Sequence, residues 1–202
     1  MINLAQRLNE VAAEQGVKLL LVTAGEESAR VPAADELVMV ELGHVTLREA
    51  CAASGVDAEN AVGFQRYTPD GLTWTGLVEL VAGAAVTADR LAQATELVEA
   101  SGLSAVASAD QPGRIVDRLF RPYFNRALRA VEAGIAAPDD IDHAIEMGLA
   151  YRQGPMKWLA GSATEHHHEV SAYLHDLLGE AAYHPAPASK IAMRVARARK
   201  RP

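Results

Sequence analysis

The stretch QPGRIVDRLFRPYFNRALRAVEAG, Gln111 to Gly134, has the most regular pattern in the chain. Ile115, Val116, Leu119, Phe120, Tyr123, Phe124, Ala127, Leu128 and Val131 recur at helical spacing and form one broad apolar stripe. Arg114, Asp117, Arg118, Arg121, Asn125, Arg129 and Glu132 fall on the other side. The pattern predicts an amphipathic helix capped by Asp110, with Pro112 in its first turn and Gly134 at its end. On that helix Asp117, between Arg114 and Arg121, reads as part of a solvated row of ion pairs.

The chain changes character just before this helix, near residue 109. Upstream, short apolar runs alternate with helical patterns. Ile2 to Gln15 reads as a helix ended by Gly16, and VKLLLVT (17–23) as a buried strand. ELVMVEL (36–42), NAVGFQ (60–65), GLVELV (76–81) and SAVAS (104–108) read as further strands. TLREACAAS (46–54) and the Thr87-capped ADRLAQATELVEAS (88–101) are helical between them. Strands alternating with helices imply a mostly parallel sheet with helical crossovers. Downstream only helical signals remain: DDIDHAIEMG after Pro138, a short helix from Gly154-Pro155 through Trp158, TEHHHEVSAYLHDLLGEAAY, and ASKIAMRVARARKR. The expected organisation is an α/β domain over residues 1–108 and an all-helical domain over residues 109–202.

Composition sets outer bounds. The formal charge of -7 argues against general affinity for nucleic acid. Only the C-terminal end is basic, with Lys190, Arg194, Arg197, Arg199, Lys200 and Arg201. A solvated helix terminus explains it, with phosphate contact as the alternative. Cys51 is the one cysteine, which suits a reducing, cytoplasmic setting. The opening residues carry charges and do not read as a signal peptide. The longest apolar run, LLLV, is too short to span a membrane.

The words AVGFQRYTP, LVELVAG, PGRIVDRLFRPYFNRALRAVEAGIAAPDDIDHAIEMGL and GPMKWL carry a resemblance. In order and spacing, the run from about Asn60 to about Gly161 resembles the 3-hydroxyacyl-CoA dehydrogenase family. The resemblance implies a Rossmann-like α/β domain, shortened here, followed by a helical domain of the family's C-terminal type. It implies NAD on the first domain, an acyl-CoA substrate, and a homodimer made through the helices. It also implies a catalytic His steered by a Glu, with an Asn and a Ser near the substrate oxygen.

Carried over residue by residue, these roles fit poorly. The His position holds Gln65, and an amide is no general base near neutral pH. The Glu is retained as Glu79, alternatively a half-buried strand carboxylate satisfied by a neighbour. The Asn position holds Asp117, whose carboxylate repels a developing oxyanion. The Ser region, Val40 to His44, has no hydroxyl residue, although His44 lies close by. The expected phosphate loop, VTAGEESAR (22–30), has one glycine followed by Glu26 and Glu27. A dinucleotide loop needs glycines that let backbone amides reach the pyrophosphate, and carboxylates oppose it. The opening units of the nucleotide domain therefore read as missing or rebuilt, and NAD is expected on resemblance alone. EHHHE (165–169) offers poor metal-ligand spacing and reads as a partly exposed helix face without metal. Trp74 reads as a lid or a packing residue, and Trp158 as helical core.

The expected function is a dehydrogenase relative that has lost NAD binding and turnover and serves as an acyl-CoA binder or partner subunit. Two alternatives stand beside it. One is an active enzyme of fatty-acid or aromatic-acid β-oxidation completed by another chain. The other is a structural oligomerisation module.

Overall fold

The computed structural model describes residues 4–28, 30–68, 75–160 and 163–199. Trp74 and Gly161 lie outside the described residues. The chain divides into two compact units, Met1–Tyr67 with Thr75–Arg114, and Thr68–Trp74 with Ile115–Pro202. The change of unit thus falls six residues beyond the position expected at 108. The reason is local. Gly113 N–H donates to the His44 carbonyl at 3.2 Å. The Arg114 guanidinium donates to the carbonyls of Val45 and Gln111. Arg114 is therefore buried in the first unit and not solvated on a helix.

The first unit is a five-stranded mixed sheet in the order β1-β2-β3-β4-β5. The strands are β1 (Leu19–Val22), β2 (Leu37–Glu41), β3 (Val62–Arg66), β4 (Leu77–Ala82) and β5 (Ser104–Ser108). All neighbours run parallel except β3 and β4, which are antiparallel. Helices α1 (Leu4–Gln15) and α3 (Ala88–Ala100) bury Leu8, Val11, Leu97 and Val98 against Met39, Phe64, Val78 and Leu80. Helix α2 (Leu47–Ser54) buries Leu47, Ala50 and Cys51 against Val38, Val40 and Val81. Both faces of the sheet are thus covered, as a largely parallel sheet requires.

Asp110 does not cap the long helix that follows it. Its Oδ1 accepts the Leu47 N–H at 2.7 Å and so adds to the N-terminus of α2. That terminus already carries a capping box between Thr46 and Glu49. The long helix, α4, begins at Ile115 and runs to Glu132.

The second unit contains α4, α5 (Pro138–Leu149), the short α6 (Pro155–Trp158), α7 (Ala163–Leu178), a 3-10 turn (Ala181–Tyr183) and α8 (Pro187–Arg199). The α7 pattern was expected to continue through Tyr183. It stops at Leu178, where Gly179 turns left-handed at φ 68°. Phe124, Leu128, Leu159 and Ala186 form one core cluster, with Trp158 packed against it. Among the described residues no helix is long and apolar enough to cross a membrane.

Two glycines in the family words are required by close approach. A Cβ on Gly83 would stand 2.0 Å from the Ala58 carbonyl oxygen, and one on Gly154 would stand 2.5 Å from the Asp142 Cα. A Cβ on Gly148, inside α5, meets nothing within 4 Å. Gly83→Ala and Gly154→Ala are each expected to cost about 2–3 kcal/mol by overpacking. Gly148→Ala is expected to stabilise by about 0.5–1 kcal/mol. Urea unfolding of the three variants checks the contrast; equal midpoints would contradict it.

Candidate functional site

In the first unit the antiparallel register of β3 and β4 sets Gln65 directly opposite Glu79. The sheet therefore brings together the two family-equivalent positions on these strands. Glu79 is fully buried, not half-buried. Gln65 Oε1 accepts the Gly43 N–H at 2.6 Å, and its Nε2 donates to the Arg66 carbonyl at 3.0 Å. The amide is thus held at both ends by backbone. The amide is a positioned strut with no basic nitrogen. His44 is half-buried in the turn after β2, where its carbonyl accepts Gly113 N–H. Cys51 is buried, and burial pushes its thiol up to about 11, so it is no thiolate near neutral pH.

The segment after β1 does not fit the pyrophosphate of a dinucleotide. Its Ala24 N–H, an amide of the kind a phosphate needs, is occupied by the Glu41 carboxylate at 3.1 Å. Glu26 accepts from the Thr23 hydroxyl, which places a further carboxylate on the same turn. No helix begins among the described residues between β1 and β2, so no helix N-terminus faces a phosphate there. The strand order runs from β1 to β5 without reversal, and a dinucleotide crevice forms where the order reverses.

The second unit overturns the solvated reading of α4. Asp117, Arg121 and Asn125 are buried together with Phe124, Ala127 and Leu128. Ile115 and Leu119, assigned to the packed stripe, are 44% and 67% exposed. Arg121 Nε and Nη2 both reach Asp117 Oδ1, at 2.9 and 2.6 Å. Arg121 Nη2 lies 3.4 Å from His166 Nε2. Pro122 lies within the helix and has no N–H for the carbonyl four residues back. That carbonyl, of Arg118, accepts the Tyr183 hydroxyl at 3.2 Å, which draws the 3-10 turn onto α4.

One turn further, Asn125 is the hub of a polar core. Its Oδ1 accepts the Ala186 N–H and lies 3.1 Å from His167 Nε2. Its Nδ2 donates to the Ala182 carbonyl. Ser171 Oγ lies 3.4 Å from His167 Nδ1. These partners assign His167 the neutral form with its proton on Nε2. His167 is fully buried, so EHHHE is not a uniformly exposed face. Burial, then Arg121, His168, His166 and Arg129, lower its pKa well below the ordinary imidazole value. Among the described residues no three His, Cys, Asp or Glu side chains gather as a metal would require.

This α4 to α8 arrangement coincides with a known domain. Residues 113–201 match the pattern of "3-hydroxyacyl-CoA dehydrogenase, C-terminal domain". The chain carries a 3-hydroxyacyl-CoA dehydrogenase C-terminal domain. It is 36% identical over 108 residues to 3-hydroxyadipyl-CoA dehydrogenase of Escherichia coli, covering 54% of this chain and 22% of that protein. It is 30% identical over 111 residues to a probable 3-hydroxybutyryl-CoA dehydrogenase of Bacillus subtilis, covering 55% and 39%. Among solved structures, 3-hydroxybutyryl-CoA dehydrogenase of E. coli superposes with a TM-score of 0.72 at 22% identity. That match covers 96% of this chain and 48% of the other. The Ralstonia eutropha (S)-3-hydroxybutyryl-CoA dehydrogenase gives 0.70 at 21%, covering 81% and 57%. These likenesses establish the 3-hydroxyacyl-CoA dehydrogenase fold. The chain spans well under half of the curated relatives' length and about half of these solved chains.

Asp117, Arg121 and Asn125 read as solvent-facing because their side chains are polar, and the structure buries all three. Their spacing carried the signal, since residues at i, i+4 and i+8 share one helical face.

Proposed function

We propose that the chain is a 3-hydroxyacyl-CoA dehydrogenase relative that binds acyl-CoA, alone or as a partner subunit, without turning over NAD itself. The observation that carries this is Gln65. It stands opposite Glu79 where a base would act, and its amide is locked to Gly43 and Arg66. The carboxylates around the turn after β1 support it from the cofactor side. Exposed Ile115 and Leu119 on α4 favour a homodimer through the helical unit. The second reading, an enzyme completed by another chain, is favoured by β1. This edge strand is Leu-Leu-Leu-Val, and its three leucines are only half-buried.

The test is NADH oxidation by the purified chain with acetoacetyl-CoA, against a control without the CoA ester. The expected result is no turnover above control, with acetoacetyl-CoA binding in calorimetry and a dimer mass in solution. Turnover would sink the inactive reading. Absence of both turnover and CoA binding would leave the oligomerisation module.

A further inference from the structure

A cationic cluster on the helical unit is left over from everything above. Arg129 in the last turn of α4 donates to the His184 carbonyl. Lys190 Nζ, from the first turn of α8, lies 3.2 Å from His184 Nε2. The His175 ring, from the last turn of α7, meets the His184 ring edge-on with centroids 5.0 Å apart. An ammonium only donates, so His184 Nε2 accepts and the ring is neutral with its proton on Nδ1. Three helices thus direct cationic or protonatable groups at one exposed residue. Among the described residues no carboxylate stands within ion-pair distance of Arg129, Lys190 or His184. The neighbouring Glu132 carboxylate is engaged by the Ala188 N–H. This is unusual placement in a chain of net charge -7, where acids are available to pair.

We propose that Arg129, His175, His184 and Lys190 form a subsite for a phosphate group on a small-molecule ligand, with the 3′-phosphate of coenzyme A as that group. A phosphate supplies several acceptor oxygens, and it would take the Lys190 donor and a proton shared with the imidazoles. The electrostatics agree with the geometry. Partial desolvation by its neighbours first, and then Lys190, His175 and Arg129, lower the pKa of the exposed His184. An arriving dianion reverses that field. The coenzyme A assignment rests on the acyl-CoA reading, whereas the phosphate subsite does not.

The experiment follows the imidazole resonances of the full chain by NMR during pH titrations. The ligands are inorganic phosphate, coenzyme A and dephospho-coenzyme A, which lacks the 3′-phosphate. Phosphate is expected to raise the His184 pKa, and coenzyme A to do so at lower concentration. Lys190→Gln is expected to weaken both by about tenfold, the loss of one charge-assisted hydrogen bond. Dephospho-coenzyme A is expected to bind about tenfold more weakly than coenzyme A for the same reason. No response of His184 to phosphate overturns the subsite. A response to phosphate with equal binding of the two coenzymes overturns the coenzyme A assignment alone. A response to phosphate with no acyl-CoA binding at all sinks the proposed function and leaves the subsite.

Discussion

Asp117→Ala is expected to destabilise the helical unit by about 3–5 kcal/mol, because it removes the ion-pair partner of a buried guanidinium. Arg121 is 0% exposed and presents both Nε and Nη2 to one Asp117 oxygen. Removing the carboxylate takes away the anion that both guanidinium nitrogens reach; the nearby His166 edge and the Phe124 ring, 5.9 Å from the Arg121 Cζ, carry no negative charge. Neither replaces an anion. Replacing both partners gives the opposite expectation. In Asp117→Leu with Arg121→Met no charge is left buried, and the cost should fall to within about 1 kcal/mol of zero or turn favourable. Urea unfolding of the two single variants and the double variant measures the coupling. If Asp117→Ala costs no more than about 0.5 kcal/mol, the pair is solvated as the sequence pattern suggested. The same cycle bears on function. Asp117 occupies the position where the family resemblance implies an Asn beside the substrate. Its carboxylate is committed to Arg121, which makes the substitution a two-residue exchange and not a lone loss.

The contrast between the two units shows what the sequence made legible. In the first unit, alternation located all five strands within two residues at each end, because buried strands and capped helices leave unambiguous local marks. The register that sets Gln65 against Glu79 was less accessible. It depends on how the segment between the strands turns, and spacing alone left it open. In α4 the helix was plain and its orientation was not. Binary patterning assigns charge to solvent, but Asp117 and Arg121 neutralise each other within one turn and can be buried as a pair. Pro122 was the overlooked clue. A proline inside a helix frees a carbonyl, and here Tyr183 from a distant turn answers it. Asn125 is similar: its partners come from α7, the 3-10 turn and the segment before α8, which no local window contains.

That network makes the helical unit sensitive to acid through one residue. His167 is neutral in the fold, and its pKa there is depressed by burial, then by Arg121, His168, His166 and Arg129. In the unfolded chain it titrates near about 6.5. Below that pH the unfolded state binds a proton that the folded state refuses. The stability His167 contributes is therefore intact above about pH 6.5 and is lost as pH falls toward the depressed folded value. While His167 stays neutral in the fold, each pH unit in that window lowers the folding equilibrium constant by about tenfold. His167→Gln isolates the effect. A glutamine Nε2 can still donate to Asn125 Oδ1, yet it does not titrate. The variant is expected to be somewhat less stable than wild type at pH 7.5, since Ser171 loses its imidazole partner. It should lose less stability between pH 7 and pH 5, so the two curves converge or cross. Chemical denaturation at several pH values, with Trp158 fluorescence as the probe of the helical unit, gives both curves. Parallel curves would mean that His167 takes up its proton in the folded state, which is incompatible with an imidazole enclosed by Asn125, Ser171 and the Phe124 ring. The outcome also bears on the Asp117 cycle. Arg121 is the largest charged contributor to the depression of His167, after burial, so removing that guanidinium together with Asp117 should end the acid limb at a higher pH even with His167 in place.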